Sequence, residues 1–317
     1  MPCYAVPIAM MGSRLATHDN LLDLGGTGYI GSYILDQIVK AKDSFGGIAI
    51  FTSPSTTDEK AWLLNNLRAK GVRVIIGRGL GEGIPRCVHV IISAVGRNVI
   101  AEQNNWIELA EPAPTVKRFF PSEYGTDIEY DPESVSEPPH QQKLKARAAL
   151  KEVKDLEYTY VVTGPFADVG GYLGKNPHPP GIGCFNVKEK KAVVIEDGKV
   201  LTASSVGRLV VKALMHPDAS RNRALRANSF TTTPLKIVAE FEKQTGVKWD
   251  ISYSSLEKVR ELEKEAYDNK NTAATRIWGS GGTLYEQRDN GLIDAEDMET
   301  LEDAIKATIA AQLSANS

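Results

Sequence analysis

The chain has 317 residues, about two domains of ordinary size, and its 42% hydrophobic and 24% charged residues describe a protein that buries a core. A formal net charge of −3 and an isoelectric point near 6.0 leave no electrostatic footprint for nucleic acid or an anionic membrane, and no apolar run approaches the ~20 residues of a membrane helix. Cys3, Cys87 and Cys184 lie far apart, with no CxxC pair and no histidine at ligand spacing. That speaks against a disulfide framework or a zinc site and for a reducing, cytoplasmic compartment.

Residues 1–19, interrupted by Pro2 and Pro7 and with no basic residue ahead of the apolar stretch, read as an N-terminal extension rather than a signal peptide. Residues 20–24 read as a strand running into a glycine cluster. The next stretch, 29–42, carries Ile30, Tyr33, Ile34, Ile38 and Val39 at helical spacing. A short buried strand follows at 48–51, then a helix over 58–70 with Trp62, Leu63, Leu64 and Leu67 on one side. Strands at 72–76 and 88–95 are too apolar for a half-solvated sheet. Strands covered on both faces and separated by helices predict a parallel sheet with helices above and below.

Further along, 98–110 reads as a helix, 116–120 as a strand, 141–153 as a helix and 157–162 as a strand. Beyond 163 glycine and proline cluster, the character of a region that faces a ligand through long irregular loops. Helices are expected at 206–215, 235–245, 255–269 and 298–313. The layout is thus an extension (1–19), a nucleotide-binding domain (20–163) and a smaller mixed α/β substrate lobe (164–317) whose last helices pack back.

Gly25-Gly-Thr27-Gly28-Tyr29-Ile30-Gly31 stands where a strand ends and a helix begins. Gly25 permits the tight turn, Gly28 lets backbone approach a pyrophosphate, Gly31 lets the helix pack on the sheet, and the helix N-terminus offers N–H groups to the phosphates. After the second strand, Thr52 and Ser53 open a hydroxyl-rich turn with no acid before Asp58, and Lys60 follows. An acid there would grip the ribose hydroxyls of NAD; hydroxyls and a lysine instead suit the extra phosphate of NADP(H), the alternative being an ordinary polar turn with Lys60 solvated. Ala94, Val95 and Gly96 end the fourth strand where the rest of the cofactor passes, and Thr163 and Phe166 follow the sixth. Phe166 reads equally well as core packing. Tyr124, Phe166 and Val169 are the substrate-facing candidates, and no metal cluster is visible.

The glycine motif, Val116-Lys-Arg-Phe-Phe-Pro-Ser-Glu-Tyr-Gly125, Lys143-Leu-Lys-Ala-Arg147 and Tyr158-Thr-Tyr-Val-Val162 resemble, in order and spacing, the isoflavone reductase-like enzymes. That group contains the phenylcoumaran benzylic ether, pinoresinol-lariciresinol and isoflavone reductases, within the NmrA-like atypical short-chain dehydrogenases. The likeness is good from 24 to 166 and fades after 215. It implies a Rossmann-type doubly wound parallel sheet, a smaller C-terminal substrate lobe, NADPH as reductant and Lys143 as general acid/base. The FFPSEYG form and the divergent C-terminal lobe look more like fungal members and imply secondary metabolism. The implied reaction is hydride transfer to a bulky aromatic or polyketide-like small molecule bearing a carbonyl, enone, imine or benzylic ether, by a monomer or homodimer. The alternative is an NmrA-like NADP-binding redox sensor without turnover.

On a helix, Lys143 and Arg147 share a face at i and i+4 while Lys145 points elsewhere. Read alone, the three form a solvated basic face; beside a nicotinamide, a partly desolvated Lys143 would have a lowered pKa and could pass a proton. None of the 11 tyrosines has a lysine four residues on, so the usual Tyr-x-x-x-Lys pair is missing. His140, in a proline-rich stretch, reads as solvated. Two departures from the family stand out. Only Gly77 to Cys87 separates the third and fourth strands, where the family carries a crossover helix, so a more open edge or a rearranged sheet is expected. Asp23 puts a charge into a central strand, which is costly unless paired.

Overall fold

A computed structural model describes residues 19–80, 84–130, 132–135, 138–164, 173, 183–195, 201–203, 205–268 and 282–314. The expected extension thus lies, apart from Asp19, outside the described residues. The chain forms two compact units that interleave in sequence. One comprises Met1–Glu123, Val135–Val161 and Val206–Leu225; the other comprises Tyr124–Ser134, Val162–Ser205 and Arg226–Ser317. Residues 206–225, which the sequence assigned to the substrate lobe, therefore belong with the nucleotide-binding unit.

A seven-stranded sheet organises the first unit. Its strands are β1 (Asn20–Leu24), β2 (Gly47–Thr52), β3 (Arg73–Ile76), β4 (Val90–Ser93), β5 (Arg118–Phe120), β6 (Glu157–Val162) and β10 (Arg223–Arg226), in the order β10-β6-β5-β4-β1-β2-β3. Neighbours from β3 through β6 pair in parallel, with Leu22 opposite Ala49 on one side and Ile91 on the other. This is the doubly wound arrangement, whose order reverses at β1 and β4 and so opens a crevice at their carboxyl ends.

Helix α1 (Tyr29–Lys40) turns Ile34, Leu35 and Ile38 inward, each at most 2% exposed. The helix expected over 58–70 is split at Lys60 into α2 (Pro54–Glu59) and α3 (Ala61–Ala69). Ser53 caps α2 by accepting the Thr56 N–H, with Pro54 at the first position, a strong local start that opens a helix before the apolar stripe begins. Only Leu64 and Leu67 of the predicted stripe are buried, packed with Leu35, Ile50 and Val72, while Trp62 is 74% exposed. Strand β3 likewise departs from its expected burial: as the sheet's edge strand it leaves Ile76 45% exposed.

On the other half of the sheet, α4 (Gln103–Ala110) precedes β5, and α5 (Pro132–Val135) and α6 (Pro138–Glu152) precede β6. His140 is not a solvated loop residue: it sits in the first turn of α6, 8% exposed. Helix α7 (Val206–Met215), followed by the short α8 (Pro217–Ser220), packs against α1. A Cβ at Gly207 would lie 2.4 Å from the Tyr33 carbonyl, so only glycine admits this crossing. The short link from β3 to β4 does not rearrange the sheet. Its 13 residues reach about 40 Å when extended, ample for three strand spacings of ~4.8 Å, so the crossover helix is dispensable for topology.

The second unit holds β7 (Cys184–Asn186), β8 (Lys191–Ile195) and β12 (Asp250–Ser254) as one sheet, and β9 (Leu201–Ala203) with β11 (Phe230–Thr232) as a pair. Helix α9 (Pro234–Thr245) starts on a Thr233 cap and stops at Gly246, whose φ is 70°. Helices α10 (Leu256–Asp268) and α11 (Leu301–Ser314) complete it. Phe185, Ile237, Phe241, Trp249 and Ile305 form its core, with the Trp249 and Phe241 rings stacked 4.6 Å apart. No described helix is long and apolar enough to cross a membrane.

Candidate functional site

The glycine loop joins β1 to α1 at the sheet's crevice. Gly25 has φ of 110°, and a Cβ there would come within 2.5 Å of the Ala94 carbonyl, so the loop is threaded tightly beside the end of β4. Gly31 in α1 lies so close that a Cβ would fall 2.0 Å from the Gly25 carbonyl. The Gly28 N–H closes the turn on Gly25 O at 2.7 Å. Helix α1 then begins with no side-chain cap and no acid in its first turn, leaving its leading N–H groups to an anion. Thr27 and Ile30 are half-buried and Tyr29 is 62% exposed.

Beneath this loop Asp23 is 1% exposed. A Cβ at Gly26 would meet its Cγ at 3.1 Å, and neither carboxyl oxygen makes a well-formed hydrogen bond. Burial pushes its pKa up to about 8, against the opposing pull of the nearby Gly26 backbone N–H. At neutral pH the group is therefore a neutral acid, compatible with a phosphate bound above it.

Thr52 ends β2 and is buried, and its carbonyl accepts the Gly77 N–H. The Ser53 hydroxyl is committed to α2, lying 2.8 Å from Ser55 Oγ and 3.0 Å from Thr56 Oγ1. Lys60, at the break between α2 and α3, is no solvated lysine: its Nζ donates to the Thr27 carbonyl at 2.7 Å. The helix break thus delivers an ammonium to the glycine loop.

The end of β4 is tied to the ends of β1 and β5. Ala94 N–H donates to Leu24 O at 2.8 Å, and Ser122 Oγ donates to Val95 O at 2.9 Å. Gly96 has open space where a Cβ would point. Gln103 of α4, fully buried, accepts the Ser122 N–H at 2.6 Å, while its Nε2 has no partner. Half-buried Lys143, on α6, donates from Nζ to the Glu123 carbonyl at 2.6 Å, and Lys145 is exposed. Arg147, one turn on, is 1% exposed and grips the Glu123 carboxylate through Nε and Nη2, both at 2.9 Å. The solvated basic face read from residues 143, 145 and 147 therefore holds for Lys145 alone.

Tyr124, with φ of 24°, starts the first segment of the second unit. There Gly125 O accepts the Thr163 and Gly164 N–H groups, and the Thr163 hydroxyl turns to Gly164 O at 3.3 Å. Phe166 and Val169 lie outside the described residues. Sequence reasoning missed Gln103 and the Glu123–Arg147 pair; the one available signal was Arg147 sharing the Lys143 face. The close glycines, the uncapped helix start, Lys60 and the open space at Gly96 fit a dinucleotide phosphate, and among the described residues no cluster could hold a metal ion.

The model of the NmrA-like family matches residues 17–280. A phenylcoumaran benzylic ether reductase of Ginkgo biloba is 31% identical over 296 residues, 87% of this chain and 92% of that protein. An isoflavone reductase of Pisum sativum is 30% identical over 269 residues, 77% of this chain and 81% of that protein. Among solved structures, the binary complex of leucoanthocyanidin reductase with NADPH from Vitis vinifera superposes with a TM-score of 0.70 at 18% identity. It covers 92% of this chain and 99% of that one, and so shares the fold. The chain belongs to the NmrA-like family, among its isoflavone reductase-like members.

Proposed function

We propose that this chain, an NADPH-dependent oxidoreductase of the isoflavone reductase type, reduces a bulky aromatic or polyketide-like small molecule of secondary metabolism, with Lys143 as its general acid/base. The carbonyl, enone, imine or benzylic ether of such a substrate would each suit the same machinery. When bound, NADPH supplies the hydride. The glycine loop and the α1 N-terminus would hold its pyrophosphate, and Lys60 with the turn after Thr52 its additional phosphate. Lys143 would deliver a proton to the oxyanion, phenolate or amine that develops as the electrophilic carbon is reduced. Ser122 and Gln103 keep the carboxyl ends of β4 and β5 in place beside it.

One observation carries the reading: Lys143 is half-buried and held at 2.6 Å by the Glu123 carbonyl on the carboxyl edge of the sheet, where open α/β folds bind ligands. The test supplies purified protein with NADPH and a panel of enones, cyclic imines and phenolic ethers. Oxidation of NADPH on at least one of them, falling by roughly 100-fold or more in Lys143→Ala and unchanged in Lys145→Ala, is expected. NADPH that binds equally to both proteins and is never consumed would overturn the reading in favour of a cofactor-sensing protein without turnover.

A further inference from the structure

Glu123 engages α6 at two points. Its carboxylate takes a two-pronged grip from Arg147, both bonds at 2.9 Å, and its main-chain carbonyl takes the Lys143 ammonium at 2.6 Å. The carboxylate and the guanidinium are each 1% exposed. Arg147 in turn lies over the Tyr160 ring of β6, its guanidinium carbon 4.5 Å from the centroid. The segment around Glu123 is fixed from other sides as well: its own N–H donates to Pro121 O, and Ser122 is held by Gln103. Directly after Glu123 the backbone enters the left-handed region at Tyr124, a conformation that persists in a non-glycine residue only when the surroundings over-determine it.

A buried ion pair is a poor device for stability alone, because apolar residues of similar volume do as well. Its geometry, however, is stiff. A bidentate fork sets the plane and direction of the carboxylate, and with it the turn that aims the Glu123 carbonyl. We propose that Glu123 and Arg147 are positioning residues: their buried pair aims the Glu123 carbonyl that holds the Lys143 amine in its working place. The consequence for turnover rests on the acid/base reading of Lys143; the aiming itself does not.

The test uses the full chain with the double substitution E123M/R147M, which replaces the pair by apolar side chains and leaves no charge buried alone. Acetylation of Lys143 by an N-hydroxysuccinimide ester is timed by peptide mass spectrometry, with exposed Lys145 as internal reference. In the native protein Lys143, half-buried and hydrogen-bonded, is expected to react more slowly than exposed Lys145. In the double variant the Lys143 rate is expected to rise about fivefold or more, with Lys145 and the dissociation constant for NADPH within about twofold of native. Turnover, where a substrate is found, falls by roughly 100-fold in kcat, the cost of a misplaced group, with KM little changed. If the double variant fails to unfold cooperatively, Arg147→Lys, which keeps the charge and loses the fork, is read by the same labelling. An unmoved Lys143/Lys145 ratio in a folded variant overturns the proposal. A shifted ratio in a protein that never oxidises NADPH leaves the aiming intact and sinks the reductase reading instead.

Discussion

Asp23 is a carboxyl that cannot ionise cheaply. It is 1% exposed beside Gly26, and its folded pKa of about 8 stands far above the ordinary 3.8. The folded form holds the Asp23 proton longer than the unfolded form does. The contribution of Asp23 to stability is therefore full below about pH 4, is lost as pH rises from there, and levels off above about pH 8, a total on the order of 5 kcal/mol. Asp23→Val is expected to raise the melting temperature at pH 7 and to flatten its fall between pH 5 and 8; parallel curves for the two proteins would refute the account. The misfit of Asp23 was legible in the sequence, since a charge inside an apolar run shows itself. The Glu123–Arg147 pair was not. Its members stand 24 positions apart on a strand end and a helix, and no periodicity relates the two.

Among elements, the break between α2 and α3 matters because it places Lys60 rather than merely shortening a helix. Ser53 and Pro54 start α2, which buries no residue, and the break before α3, with its buried Leu64 and Leu67, falls on Lys60. Its ammonium then reaches Thr27 across the loop. Lys60→Ala is expected to weaken NADPH about tenfold and NADH by less than twofold, measured by fluorescence titration. Equal losses for both nucleotides would make Lys60 a strut of the loop and no reader of the extra phosphate. The strands and most helices were legible from periodicity, and β1, β6 and α7 match the expected spans to the residue. The helix break was not, because a cap and a proline act locally while the apolar stripe reports only the face that finally packs.

For the whole molecule, the composition shift after residue 163 suggested a single boundary there. Composition tracks loops and turns, however, and α7 is an ordinary amphipathic helix whose partner is decided by the fit at Gly207 against Tyr33. Leu209, Val210 and Ala213 of α7 are fully buried. A chain truncated at residue 163 leaves the matching face of α1 uncovered. It is expected to show no cooperative unfolding transition and to bind no NADPH, whereas a truncation product that melts cooperatively would show that α7 is dispensable to the unit.

The interleaving of the two units also sets a schedule. The polypeptide leaves and re-enters the nucleotide-binding unit twice, and the unit's last piece, Val206–Leu225, begins about 45 residues after its previous one ends. At ~5–20 residues per second, the ribosome holds an unfinished nucleotide-binding sheet for several seconds, with the α1 groove open and β6 still lacking its neighbour β10. During synthesis, then, the exposed surface most in need of a chaperone is the flank of the sheet that α7 and β10 will close.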